Sequence, residues 1–211
     1  MNIVIVDYGC GNLASVRRAA ERATADLKAT VSVTGDAAAL LAADRVIFPG
    51  QGAMPDCMKN LRASGLEQAV RVALAQKPVL AICIGMQMLF EHSEEGDIAG
   101  LGIYPGLVRR FPRDMQAAGV RLKVPQMGWN RVTQRQSHPL WAGIADSSWF
   151  YFVHSYYLET KEATLCAGST DYGLEFTSAV ARDNVFATQF HPEKSARCGL
   201  QLFRNFVTWA P

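Results

Sequence analysis

Three runs in the first half of the chain, NIVIVDYG (2–9), RVIFPGQG (45–52) and KPVLAICIG (77–85), are largely apolar without alternation, and each ends in a glycine turn. A strand with one wet face alternates apolar and polar side chains. A run without alternation is buried on both faces, as happens when helices cross between parallel strands. The intervening segments supply those helices. NLASVRRAAERA sets Leu13, Val16 and Ala20 on one helical face, ATVSV reads as a further strand and DAAALLAA as a short helix. SGLEQAVRVALAQ reads as a helix with Ser64 as N-cap and Glu67 three residues on, the spacing of a capping box. MQMLFEHS reads as another helix. Strand and helix alternating at this spacing predict an α/β fold with an open, mostly parallel central sheet flanked by helices.

Beyond Gly100 the texture changes. GLVRRF, WNRVTQ, SWFYFVHSYYLET, TLCAGST, LEFTSAVARD and NVFATQFH are β-branched and aromatic segments between turn residues. They predict an additional antiparallel β portion, with ARDN as a turn between its last two strands. CGLQLFRNFVTWA closes the chain as an amphipathic helix. No repeat, low-complexity tract or long linker divides the 211 residues, so one domain over 1–211 is expected.

Net charge is +2 with no basic or acidic block, which gives no reason to expect nucleic acid or an anionic membrane as partner. No apolar run approaches the roughly 18 to 20 residues of a membrane span. The N-terminal run meets Asp7 too early for a signal peptide. The five cysteines, Cys10, Cys57, Cys83, Cys166 and Cys198, are odd in number, scattered and without a CxxC pair. That argues against a disulfide framework and against a zinc site. A soluble cytoplasmic protein without metal is expected.

Cys83 stands where the VLAICI strand gives way to a helix beginning near Gly85. A buried cysteine is ordinarily a small apolar filler. At a strand-to-helix turn it has another use. The turn projects the side chain out of the sheet, the helix N-terminus favours negative charge on sulfur, and the next backbone N–H groups are free for a developing oxyanion. This is the logic of the G-x-S-x-G elbow with sulfur for oxygen, here with Ala81 and Gly85 at the small positions.

A thiolate nucleophile needs a base, and the base needs an orienting group. Among the four histidines, His92 falls at a predicted helix end, His138 in an exposed polar turn before Pro139, and His154 inside an aromatic strand. His191, in TQFHPEKS, has Glu193 two residues on, facing the same side of an extended segment, with Pro192 stiffening the pair. An H-x-E alone is common by chance. Pro49, Gly50 and Gly52 after RVIF make either an ordinary strand-to-helix turn or a loop whose backbone closes on a ligand. All three pieces fall at the C-terminal ends of predicted strands, the edge where open α/β sheets bind ligands.

At these residues the sequence resembles the class I, triad-type glutamine amidotransferases, through the PGxG loop (49–52), the CIGMQ elbow and FHPE. VDYGCGNL, MGWN, FVHSYY and QFHPEKS, spread from residue 6 to 195, are similar in particular to the glutamine-hydrolysing subunits of imidazole glycerol phosphate synthases. The resemblance implies a Cys83–His191–Glu193 triad. The thiolate attacks the glutamine side-chain amide; His191 protonates departing ammonia, then activates water against a γ-glutamyl thioester. It implies an oxyanion and substrate site of Gly50, Gln51, Gly52, Ile84, Gln87, His154, Ser155 and Tyr156, with Gln87 toward the amino-acid end of glutamine. It implies no cofactor. The implied partner is a β/α-barrel cyclase subunit, which receives the ammonia and makes imidazole glycerol phosphate and aminoimidazole carboxamide ribotide in histidine biosynthesis. Met127, Trp129, Asn130, Tyr151 and Lys194 are the implied contacts, although from the residues alone Trp129 reads as a core or cross-strand aromatic.

Three positions depart from the family pattern: Gln126 where a histidine is usual before MGWN, Gln51 in the variable loop position, and Ala81 for a glycine before the elbow. None belongs to the triad. DYGCGNLA also fits the dinucleotide fingerprint, but the acidic residue that should end the second strand is replaced by Asp36 beyond it. Two further readings are a glutaminase of another synthase and a regulatory subunit of the same fold without turnover; the intact Cys, His and Glu argue against the latter.

Overall fold

In the computed structural model, which describes residues 1–117 and 119–211, the first half of the chain alternates as its pattern requires. β1 (Asn2–Val6) leads to α1 (Leu13–Ala23), β2 (Thr30–Thr34) to α2 (Ala37–Ala42), and β3 (Arg45–Gly50) to α3 (Met54–Ala63) and α4 (Glu67–Gln76). β4 (Val79–Cys83) leads to the single turn α5 (Ile84–Gln87). β1, β3 and β4 are the three unalternating runs and are buried almost throughout. β2, β1, β3 and β4 lie side by side in that order, all parallel.

The second half is strand after strand. β5 (Phe90–Ser93), β6 (Ile98–Ala99), β7 (Tyr104–Arg110), β8 (Gln116–Ala117) and β9 (Val120–Arg121) precede the long β10 (Gln126–Gln134). β11 (Ser148–His154), β12 (Tyr156–Thr160), β13 (Cys166–Asp171), β14 (Glu175–Arg182) and β15 (Val185–Thr188) follow, and α6 (Ala196–Thr208) ends the fold. β15 joins the two halves: it runs antiparallel to β14 and parallel to β4. The sheet then continues through β14, β12, β7, β5 and β6, while β10 branches off β13 and carries β11 on its other edge. α1 packs on α6, and α2 on α4. Among the described residues, no helix is long and apolar enough to cross a membrane.

Four local expectations are corrected. Ser64 closes α3 instead of capping α4: its Oγ donates to the Leu61 carbonyl at 2.9 Å, and Glu67 turns to Arg71 and Arg62. α3 itself, absent from the sequence reading, buries Met54, Cys57, Met58 and Leu61, one face at helical spacing. MQMLFEHS is not a helix beyond its first turn. Met86, Met88, Leu89 and Phe90 are all buried, leaving no polar face, and Phe90 onward pairs with β7 as a strand. His92 therefore sits on β5, with Nε2 2.9 Å from Asp97 Oδ1. His138 is half-buried rather than exposed, its ring 4.8 Å from Phe186 and 5.0 Å from Trp209.

Candidate active site

Sheet register assembles the site. Gly50 lies beside Cys83 and Thr188 beside Ile82, so the C-terminal ends of β3, β4 and β15 meet. Cys83 ends β4 with φ 56° and ψ −112°. A residue with a side chain holds such a conformation at a cost of about 1–3 kcal/mol, and the surroundings must enforce it. Two glycines do so by allowing close approach. A Cβ on Gly85 would lie 2.1 Å from the Phe48 carbonyl oxygen, and one on Gly50 would lie 2.8 Å from the Ile84 Cβ. Opposite the elbow, Tyr8 fixes the start of the glycine loop by donating its hydroxyl to the Pro49 carbonyl at 2.8 Å. Because α5 is a single turn, charge on sulfur meets a few free N–H groups rather than the summed dipole of a long helix.

His191 and Glu193 meet with Nδ1 2.7 Å from Oε1, both side chains almost fully buried. They do so through a short 3₁₀ turn, Pro192–Lys194, and not through the alternation of an extended segment. The backbone of His191 is clamped: its N–H donates to the Tyr151 carbonyl at 2.9 Å, and its carbonyl accepts from Ser195 Oγ at 2.6 Å. Just before it, Phe190 is wedged against Phe150 at 4.2 Å and Phe152 at 5.8 Å. Burial works against a proton on His191, but the Cys83 sulfur and the Glu193 carboxylate outweigh it and push the imidazole up to about 10. At neutral pH the ring is therefore an acid beside the sulfur. Its Nε2 is buried and, among the described residues, has no protein partner in hydrogen-bonding geometry.

Cys83 and His191 line one cavity of about 290 Å³, with Gln51, Gly52, Ile84, Gln87, His154, Ser155 and Tyr156. Gly50 and Glu193 stand behind these residues, against the elbow and the imidazole. Glu95, Pro125 and Val153 also line the cavity and were missed by sequence reasoning. Glu95 carries no motif; burial raises its carboxyl, and Oε2 accepts the Met54 N–H at 2.8 Å. Gln87 donates Nε2 to the Tyr156 carbonyl at 3.2 Å and to Gln189 Oε1 at 2.9 Å, while its own Oε1 is buried without a partner among the described residues.

His154 is a strand histidine that also reaches the site. Burial lowers it to about 4, against the opposing Tyr156 carbonyl 2.7 Å from Nδ1. A neutral ring donating from Nδ1 leaves Nε2 as an acceptor. Gln126 Oε1 lies 2.8 Å from Nε2 across the β10–β11 pair, so with a neutral ring the amide must turn its NH₂ group to this contact. His138 is likewise lowered by burial to about 4.

Both histidines exclude a proton that the unfolded chain binds near pH 6.5, so these two rings cost nothing above about pH 6.5 and lower stability as the pH drops toward 4. The expected loss by about pH 4 is on the order of 3 kcal/mol from His154 and less from the partly exposed, screened His138. Urea midpoints across this window test it, and a flat profile would show that neither ring is held neutral.

Of the implied partner residues, Met127, Trp129 and Tyr151 occupy the outer face of the β10–β11 pair. Met127, Trp129 and Arg131 stand opposite Val153, Tyr151 and Trp149. Met127 is 66% exposed and Trp129 49%, so Trp129 is no core aromatic; it meets Tyr151 edge-on at 6.1 Å. Lys194 lies over the Tyr151 ring at 5.7 Å. Trp149, 48% exposed under Arg131, belongs to the same face and was not anticipated. Asn130 is set apart from them: it is half-buried, and its Nδ2 donates to the Asp171 carbonyl at 2.8 Å.

A thiol held on a strained strand end, a buried His–Glu pair delivered by the adjacent strand and a glycine loop alongside are the parts of a cysteine-dependent acyl-transfer site. The chain belongs to the glutamine amidotransferase class-I family, whose family model matches residues 4–209. Within that family it is similar to the imidazole glycerol phosphate synthase subunit HisH of Aromatoleum aromaticum, at 58% identity over 100% of this chain and 99% of that one. The HisH subunits of Dechloromonas aromatica (56%, covering 99% and 97%) and Chromobacterium violaceum (54%, covering 99% and 98%) are similar over the same extent. Among solved structures, a glutamine amidotransferase superposes with a TM-score of 0.68 at 19% identity, covering 97% of this chain and 96% of that one. Another, from Thermotoga maritima, gives 0.63 at 13%, covering 94% and 78%. At such identities these two likenesses speak to the fold alone.

Proposed function

We propose that this chain is the glutamine-hydrolysing subunit of an imidazole glycerol phosphate synthase. It works in the cytoplasm and delivers ammonia to a β/α-barrel cyclase subunit that makes imidazole glycerol phosphate and aminoimidazole carboxamide ribotide. The observation that carries the chemistry is the convergence of Cys83 and the Glu193-braced His191 on one cavity. Full-length similarity to HisH subunits carries the choice of partner.

In this reading the Cys83 thiolate attacks the side-chain carbonyl carbon of glutamine. The oxygen that becomes negative is held by backbone N–H groups near Gly52 and Ile84; Gly52, at φ +107° with nothing within 4 Å of a Cβ, leaves that loop free to turn toward it. The C–N bond breaks as His191 passes its proton to nitrogen, releasing ammonia and leaving a γ-glutamyl thioester. His191, now a base, takes a proton from water as the water attacks the thioester, and glutamate departs. Glu193 holds the ring in position and steadies its charge in each half of the cycle. Glu95 supplies a carboxylate for the α-ammonium of glutamine, and the free Oε1 of Gln87 accepts a substrate N–H. Water protonates free ammonia to unreactive ammonium, so a closed route to the cyclase is favoured. The face formed by the exposed Met127 and Trp129 with the half-buried Tyr151, continuous with Val153 in the cavity wall, is where such a route can be sealed.

The test is glutamate release from glutamine by the purified chain with and without the cyclase, alongside co-elution of the two. The expected outcome is a one-to-one complex that hydrolyses glutamine. In it Glu95→Gln raises KM by about tenfold or more with a smaller change in kcat, the mark of lost substrate binding. No glutamate in either arrangement would end the reading.

A further inference from the structure

We propose that Gln189 is a positioning residue that sets the nucleophile and the substrate ligand together. The inference rests on Cys83 being the nucleophile. Gln189 is fully buried and both ends of its amide are engaged: Nε2 donates to Cys83 Sγ at 3.6 Å, and Oε1 accepts from Gln87 Nε2 at 2.9 Å. Because Gln87 occupies the oxygen end, only the NH₂ end can face sulfur, and a group that can only donate favours the thiolate over the thiol. The same contact, with the Tyr156 carbonyl, ties up Gln87 Nε2 and so leaves Gln87 Oε1 as the end free for substrate.

The backbone of Gln189 cannot drift, since its N–H donates to the Ser178 carbonyl at 2.8 Å and its neighbour Phe190 is held among Phe150 and Phe152. An amide in so buried a place costs stability unless each end is bonded, and an apolar side chain of equal size would fill the space as well. Its use is therefore orientation. It supplies the N–H that the one-turn α5 cannot supply through a long-helix dipole.

Gln189→Leu and Gln189→Glu test this in the intact chain, by the rate at which iodoacetamide alkylates Cys83 at neutral pH. The other four cysteines serve as internal references, and kcat and KM for glutamine are read in parallel. Loss of one donor to a charged sulfur is expected to slow alkylation of Cys83 about tenfold and lower kcat by at least that factor, while the reference cysteines keep their rates. Gln189→Glu keeps the shape and places an acceptor against sulfur, so it remains informative if Gln189→Leu fails to fold. Native-rate alkylation of Cys83 in a folded variant would overturn the proposal. If glutamine fails to protect wild-type Cys83 from alkylation, it is the glutaminase reading that fails instead.

Discussion

Cys83→Ala is expected to cut glutamate release from glutamine by about 10⁴-fold or more, while the complex with the cyclase still makes product from added ammonia. Among the residues lining the cavity Cys83 is the only cysteine, so no neighbouring thiol can take over. Cys57, under the glycine loop, is pushed up to about 12, chiefly by burial, and its Sγ is turned to the Gln51 carbonyl at 3.5 Å. The substitution removes one atom from a site already shaped for a small side chain, and alanine at φ 56° bears the same strain as cysteine. Fold and partner face should therefore survive, and the ammonia-dependent reaction reads that directly. Without sulfur beside it, His191 also loses one of the two groups that hold its proton against burial. Glutaminase activity persisting in the variant would place the nucleophile elsewhere. Loss of both activities would deny the division of labour between the subunits.

How far such a site can be read before folding depends on where its partners lie in the chain. β1, β3 and β4 were legible because a run with no polar position has one stable placement, inside a covered parallel sheet. MQMLF fails by the same token: buried all round, it carries no period to separate helix from strand, and β7, a distant partner, decides. α3 was legible in principle, since Met54, Cys57, Met58 and Leu61 share a face, but Pro55 so soon after the glycine loop suits a loop as well as the first turn of a helix. His191 and Glu193 were paired from their spacing, although the turn that joins them is helical. Gln189 could not be paired with Cys83 from any local pattern, because 106 residues separate them and only the insertion of β15 beside β4 brings them together. Glu95 likewise acquires its place through Met54, 41 residues away. Trp129 shows the opposite limit: an aromatic in a strand reads as core until the sheet is seen to end with that face outward.

Gly85→Ala is expected to lower glutaminase activity by about 100-fold or more and to destabilise the fold by about 1–3 kcal/mol or more, although the residue touches neither substrate nor triad. The added Cβ would sit 2.1 Å from the Phe48 carbonyl oxygen and 3.1 Å from its carbon, backbone atoms that no rotamer change can clear. β3 cannot yield: Phe48 is fully buried, registers with Ala81, packs on Tyr8 at 5.4 Å, and is followed by the Pro49 carbonyl that Tyr8 holds. The elbow must give way instead, and with it the strained Cys83 that immediately precedes the displaced turn. A shift of about 1 Å in the sulfur is enough to break near-attack geometry with His191. Gly52→Ala is the control that separates clash from backbone strain. Its Cβ meets nothing within 4 Å, so the left-handed φ of +107° is its whole penalty, and the thermal midpoint should move far less than for Gly85→Ala. Equal thermal midpoints for the two variants, or wild-type turnover in Gly85→Ala, would show that the elbow is not held by its approach to β3. The strain at Cys83 would then need another source.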